Sequence, residues 1–251
     1  MFGLFKRRKR IASTAHVVPA HTRIYAIGDV HGCRAELDRL LDLIRADNVA
    51  FTGIIRFVFL GDLVDRGPDS AGVVDRVMEL SRGQERCDTL MGNHEEAMLA
   101  SLDGTADPRG WLSYGGTQTL ESYGIARAQQ FASGFHLARR MAEAIPSDHI
   151  TFLRGLPDHL VIGDYLFVHA GIRPGVPLEL QKAADLRWIR SGFLESEVDH
   201  QCIVVHGHTI TSEPEQRANR IGIDTGCYAG GPLTALVLEG ATRRFLQTTP
   251  A

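Results

Sequence analysis

Five short stretches of the chain end apolar runs in side chains that can hold a metal ion: Asp29 and His31 in GDVHG, Asp62 in GDLVDRG, Asn93 in GNHE, His169 in VHAG, and His206 or His208 in VHGHT. The donors are oxygen and imidazole without thiolate, a set that suits manganese, iron or zinc better than copper. They exceed what one tetrahedral ion takes up, so two divalent ions are expected, manganese first, with iron or zinc as alternatives. A carboxylate such as Asp62 can bridge them. Two ions about 3.5–4 Å apart activate a water and stabilise the oxygens of an in-line displacement at phosphorus. Each block alone is weak evidence, but the full set in one chain points to phosphoryl chemistry.

Residues this far apart meet only if the fold gathers strand ends along one crevice, as open α/β sheets do. RIYAI reads as a strand entering the first block, and CRAELDRLLDLIRAD as its helix, with Leu37, Leu40, Leu41 and Ile44 spaced i, i+3, i+4 and i+7. IIRFVFL and SAGVVDRVMEL repeat the unit, with Asp69 or Ser70 placed to cap the second helix. A third strand around Cys87 to Met91 meets GNHE, and YLFVHAG and CIVVHGHT supply two more. Alternating strands and helices argue for α/β layering. From about 103 to 157 this unit is absent, and the stretch reads as a helical insert or lid. The expected organisation is a basic, flexible tail over 1–22 and a single domain over 23–251.

Taken in order, GDVHG, GDLVDRG, GNHE, HAG and HGHT resemble the signature blocks of the PPP-type phosphoprotein phosphatases, bacterial serine/threonine type, within the calcineurin-like metallophosphoesterases. The similarity spans roughly Ile24 to Leu238. It implies a two-sheet β-sandwich flanked by helices, with a dinuclear metal site at the strand ends. It places Asp29 and His31 on the first ion, Asp62 as the bridge, and Asn93, His169 and His208 on the second. His208 takes precedence over His206 because it directly precedes the Thr that closes its block. His94 is implied as the acid that protonates the leaving oxygen, and Asp65 as the group that orients it. Arg66 and Asn93 would contact the phosphoryl group, with Arg190 in LRWIRSGF as a second phosphate-binding arginine. The implied reaction is hydrolysis of phosphoserine and phosphothreonine in proteins, with phosphotyrosine as a further substrate, by direct attack of a metal-bridging hydroxide. The chain has neither a Cys-x5-Arg loop nor a GxSxG elbow, which agrees with attack without a phosphoenzyme.

A symmetrical diadenosine tetraphosphate hydrolase uses the same blocks, as does a small-molecule phosphatase. The dinucleotide enzymes tend to carry ARG and GNHD where this chain has Asp65 and Glu95, so the sequence favours phosphorylated proteins as partners. A silent scaffold would lack a ligand or the acid, and neither is missing. The formal net charge of −3 gives no drive toward nucleic acid, and no apolar run reaches transmembrane length. The run Lys6 to Arg10 follows apolar residues instead of preceding them, so it is not a secretory signal. It is expected to be solvated, with weak contact to a membrane surface or an acidic partner as its other use. Cys33, Cys87, Cys202 and Cys227 show no CxxC spacing and read as reduced thiols of a cytoplasmic protein. His16, His21, His136, His149, His159 and His200 are expected at the surface, and Asp224 in a turn, with a supporting contact to a histidine as the alternative. Trp111, Tyr114 and Tyr123 are expected to pack in a core or lid, with a substrate-facing wall as the alternative.

Overall fold

The structure, a computed structural model, describes residues 16–130 and 133–249. Its first half alternates β1 (Thr22–Ile27), α1 (Arg34–Asp47), β2 (Ile54–Phe59), α2 (Ser70–Ser81), β3 (Arg86–Thr89) and α3 (Asn93–Leu102). The apolar stripe of α1, Leu37, Leu40, Leu41 and Ile44, is buried as its spacing requires. Asp69 caps α2 by accepting the Gly72 amide at 2.8 Å. Four helices follow: α4 (Pro108–Trp111), α5 (Thr117–Ser122), α6 (Gly134–Ala144) and α7 (Ser147–Arg154). The second half holds β4 (His159–Ile162), β5 (Tyr165–Val168), α8 (Ala183–Trp188), β6 (Ile203–His206), β7 (Glu215–Gln216), β8 (Arg220–Gly222), β9 (Thr234–Glu239) and β10 (Thr242–Gln247).

The strands form two five-stranded sheets, ordered β10-β9-β1-β2-β3 and β4-β5-β6-β8-β7. β1, β2 and β3 run parallel, as do β5, β6 and β8, so their carboxyl ends open toward one edge. Successive side chains of β1 serve two layers, as the period of two dictates. Ile24 and Ala26 face the second sheet, packing with Val58, Leu60, Phe167 and Val205. Tyr25 and Ile27 face the helices, packing with residues of α1 and α2. On the far side of the second sheet, Leu166 and Val204 pack with Leu186 of α8 and Phe193. The result is a sandwich of two sheets between helical layers, the architecture that the resemblance implies.

The fold reaches back to His16: the Val17 amide donates to Asp164 Oδ2 at 2.8 Å, and the Val18 amide to the Gly240 carbonyl at 3.0 Å. The basic run Lys6 to Arg10 lies outside the described residues. His149 departs from the surface position expected of it. It is 3% exposed, with its ring nitrogens 2.9 Å from the Tyr123 hydroxyl and 2.9 Å from Asp75, because α7 packs onto α2. Among the described residues, no helix is long and apolar enough to cross a membrane.

Candidate metal centre

The motif loops leave their strands at backbone angles that side chains resist. His31, Asp62, Asp65, Arg66 and His208 have φ of 45°, 51°, 74°, 69° and 63°. Each costs on the order of 1 kcal/mol in the left-handed region. Among the described residues only two other non-glycine residues, His21 and Gln201, share that sign. The strain is therefore concentrated where donors must be aimed.

Hydrogen bonds hold it in place. The amides of Val30 and His31 both donate to the Asp62 carbonyl, at 3.2 and 2.8 Å, and Gly32 donates to Leu63 O at 2.8 Å. Glu95, fully buried in the first turn of α3, accepts the amides of Asp62 at 2.8 Å, Leu63 at 2.8 Å, Val64 at 3.2 Å and Gly92 at 3.0 Å. Burial and the Asp62 charge push its carboxyl up to about 7, against those amide bonds. Glu95 is thus the clamp that fixes GDLVDRG to GNHE. Gly67, Gly92 and Gly207 allow close approaches: a Cβ on them would overlap the His31 carbonyl, Asp62 and Asp29 in turn.

Two groups of donors converge, His31 with Asp62 and His94, and Asp62 with His169 and His208, each set within 4.8 Å. Asp62 belongs to both. Its oxygens lie 3.5 Å from His31 Nε2 and 3.4 Å from His169 Nε2. Asn93 Oδ1 is 2.8 Å from His169 Nε2, and His208 Nδ1 is 3.2 Å from the same atom. The remaining nitrogens of two of these rings are fixed by backbone: His31 Nδ1 donates to Val64 O and His169 Nδ1 to Leu60 O, both at 2.8 Å. Those bonds leave each Nε2 lone pair facing the centre. Asp29 stands beside this cluster, with its carboxylate accepting the His208 amide at 3.1 Å through both oxygens. His206 instead turns its ring edge onto Phe193, centroids 5.2 Å apart, so His208 alone of this pair joins His169.

The electrostatics suit divalent cations. Burial keeps His31 and His208 down at about 3 and lowers His169, so all three rings are neutral donors. Asp62 stays well below the ordinary carboxylate range: burial opposes this, but His169, His94 and His31 outweigh it. Asp29 is driven well above that range by burial and by the charges of Asp224 and Asp62. Buried carboxylates that repel one another, ringed by neutral imidazoles, are a donor set that two positive ions would complete.

His94 is arranged differently from His31, His169 and His208. Its Nδ1 lies 2.6 Å from Asp65 Oδ2, while Nε2 faces the centre 3.9 Å from Asp62 Oδ2. Burial favours the neutral ring, but Asp62 and the Asp65 hydrogen bond overcome it and raise the His94 pKa. A protonated Nε2 aimed at the centre is what a general acid needs. Asp65 is itself anchored by Trp111 Nε1 at 2.8 Å and Thr119 Oγ1 at 2.6 Å. Arg66 Nη1 lies 2.8 Å from His31 Nε2, and Arg190 Nη2 donates to the His208 carbonyl at 3.2 Å, so the two guanidiniums flank opposite ends of the centre.

The sequence does not mark Glu95 and Thr119 as site residues, and for Trp111 it offers packing in a core or lid with a substrate-facing wall as the alternative. Trp111 is buried but also supports Asp65, and no periodicity links positions 111 and 65. Tyr114 is not packed: it stands 57% exposed beside Arg66, where the substrate-facing alternative would put it. Asp224 orders its turn, accepting the Gly226 amide at 3.0 Å.

Buried carboxylates and imidazoles gathered at one edge of a helix-flanked double sheet are the arrangement expected of a metallophosphoesterase. The calcineurin-like phosphoesterase family matches residues 22–235, and the chain belongs to it. A symmetrical bis(5'-nucleosyl)-tetraphosphatase of Nitrosospira multiformis is 28% identical, over 90% of this chain and 95% of that protein. One of the same name from Methylococcus capsulatus is 34% identical, over 88% and 94%. A crystal structure assigned as a candidate diadenosine tetraphosphatase superposes with a TM-score of 0.63 at 25% identity, covering 93% of this chain and 98% of the other.

Proposed function

We propose that the chain hydrolyses dinucleoside tetraphosphates, splitting diadenosine tetraphosphate into two ADP. The observation that carries this is its near end-to-end similarity to two proteins named for that reaction. It reverses the preference that Asp65 and Glu95 give to a protein phosphatase. In the balance, one water enters, one bridging P–O bond breaks at the middle of the phosphate chain, and two ADP leave.

Asp29, His31, Asp62, Asn93, His169 and His208 would hold the metal ions. When bound, such ions neutralise phosphate charge and lower the pKa of a water. Arg66 and Arg190 add positive charge at either end, where the equatorial and flanking phosphate oxygens need it. His94 delivers a proton from Nε2 to the departing oxygen, with Asp65 fixing the tautomer through Nδ1.

One observation favours a second reading. The His94–Asp65 pair, with Trp111 and Thr119 behind it, is built to protonate a poor leaving group such as a serine alkoxide, whereas ADP departs more readily. The deciding experiment compares manganese-loaded protein on diadenosine tetraphosphate and on phosphoserine and phosphothreonine peptides. Faster dinucleotide turnover with ADP as the sole nucleotide product supports the first reading. Faster peptide turnover overturns it in favour of a protein phosphatase.

A further inference from the structure

Each end of the metal centre carries an exposed aromatic ring beside an arginine. At the His31 end, Tyr228 presents its ring edge-on to His31, centroids 5.1 Å apart, and the Arg66 guanidinium carbon lies 4.6 Å from the Tyr228 ring centroid. Tyr228 is 37% exposed and opens onto a groove of about 420 Å³ that Tyr114 and Arg127 also line. At the His208 end, Trp188 is edge-on to His208, centroids 6.5 Å apart, and 40% exposed. Its Nε1 is occupied by Glu96 at 2.5 Å, which fixes the indole and satisfies its one polar atom. Arg190 lies on the same side, bonded to the His208 carbonyl.

A phosphoryl group needs the ions and the arginines and has no use for exposed rings on both sides. Rings of this kind bind flat aromatic ligands, because base–aromatic stacking tolerates any base and is reinforced by a neighbouring guanidinium. We infer that Tyr228 with Tyr114, and Trp188, are two nucleobase platforms, one at each end of the metal centre. The site then fits a phosphate chain capped by a base at both ends. This inference rests on the dinucleotide reading above and adds which residues recognise the two bases.

The test uses the manganese-loaded full chain and three substrates: inorganic tripolyphosphate, adenosine 5'-tetraphosphate and diadenosine tetraphosphate. In the wild type, kcat/KM rises at each added base by roughly 5- to 150-fold, the span that one stacking contact represents. Trp188→Ala and Tyr228→Ala should each bring the ratio of diadenosine tetraphosphate to adenosine tetraphosphate to within about twofold of one, since a single remaining platform serves either substrate. Trp188→Phe restores the ratio. Trp188→Leu, which keeps apolar bulk but has no π face, behaves as the alanine variant does and guards against a folding defect. Equal losses on all three substrates, with the ratio intact, would overturn the platforms while leaving the dinucleotide reading in place. Turnover of phosphopeptides with none of diadenosine tetraphosphate would overturn both.

Discussion

Asp62 neighbours three imidazoles and accepts the His94 amide at 3.1 Å, so its charge is the common element of both donor groups. Asp62→Asn should empty the centre of metal and lower kcat by at least about a hundredfold. Measured metal content together with turnover checks this; full content with a normal rate would count against the bridge. His94→Asn removes the proton donor but not a ligand. It should cost about 10²- to 10⁴-fold on esters with poor leaving groups and much less on aryl phosphates with good ones. Equal losses on both would argue for a purely positional histidine. At this scale most of the site was legible, because donor type and order in sequence are chemical facts. The left-handed backbone of Asp65 and Arg66 was not, since it is imposed by the neighbouring Gly115 carbonyl, which accepts the Arg66 amide at 3.1 Å from the helical insert.

Between elements, Asp47 at the end of α1 joins the helix layer to the first sheet. It accepts the Tyr25 hydroxyl of β1 and Arg244 Nη2 of β10, the latter at 2.5 Å. Burial works against its charge, yet Arg244 and Tyr25 hold it below the ordinary carboxylate value. A depressed folded pKa contributes stability that is present above the unfolded value near 4 and is lost as pH falls through the folded one. Asp47→Asn should therefore lower the urea midpoint at pH 7, and the gap from wild type should close as pH falls below the ordinary carboxylate value near 4. A gap independent of pH would show that packing, not charge, is lost. The helices α1 and α2 were readable because each is apolar on one side only. The second sheet was not: β5 and β6 read as strands, but runs buried on both faces carry no alternation to say which sheet they join, and only the resemblance implied the sandwich.

For the whole molecule, ligand ions bind the folded chain and not the unfolded one. At 100 times the dissociation constant this adds about 2.7 kcal/mol, and at roughly 2–4 °C per kcal/mol for a domain of this size, chelation should lower Tm by about 5–10 °C. Manganese should restore it; a Tm indifferent to chelator would mean the donors bind no ion. The insert shows how global connectivity serves one carboxylate, since Trp111 and Thr119 reach Asp65 from segments that share no pattern with it.

The donors come from both sheets. Asp29, His31, Asp62 and Asn93 follow strands of the first, while His169 and His208 follow strands of the second. At these residues the two are tethered by the His169 bond to Leu60 O, the contact of His169 with Asn93 and the bond of the His208 amide to Asp29, and beneath them lie Leu60, Phe167, Val205 and Ile223. That apolar filling acts as the spacer of the active site. Removing or adding a methylene there would shift one half of the ligand set against the other, retuning the chemistry from a depth no substrate reaches.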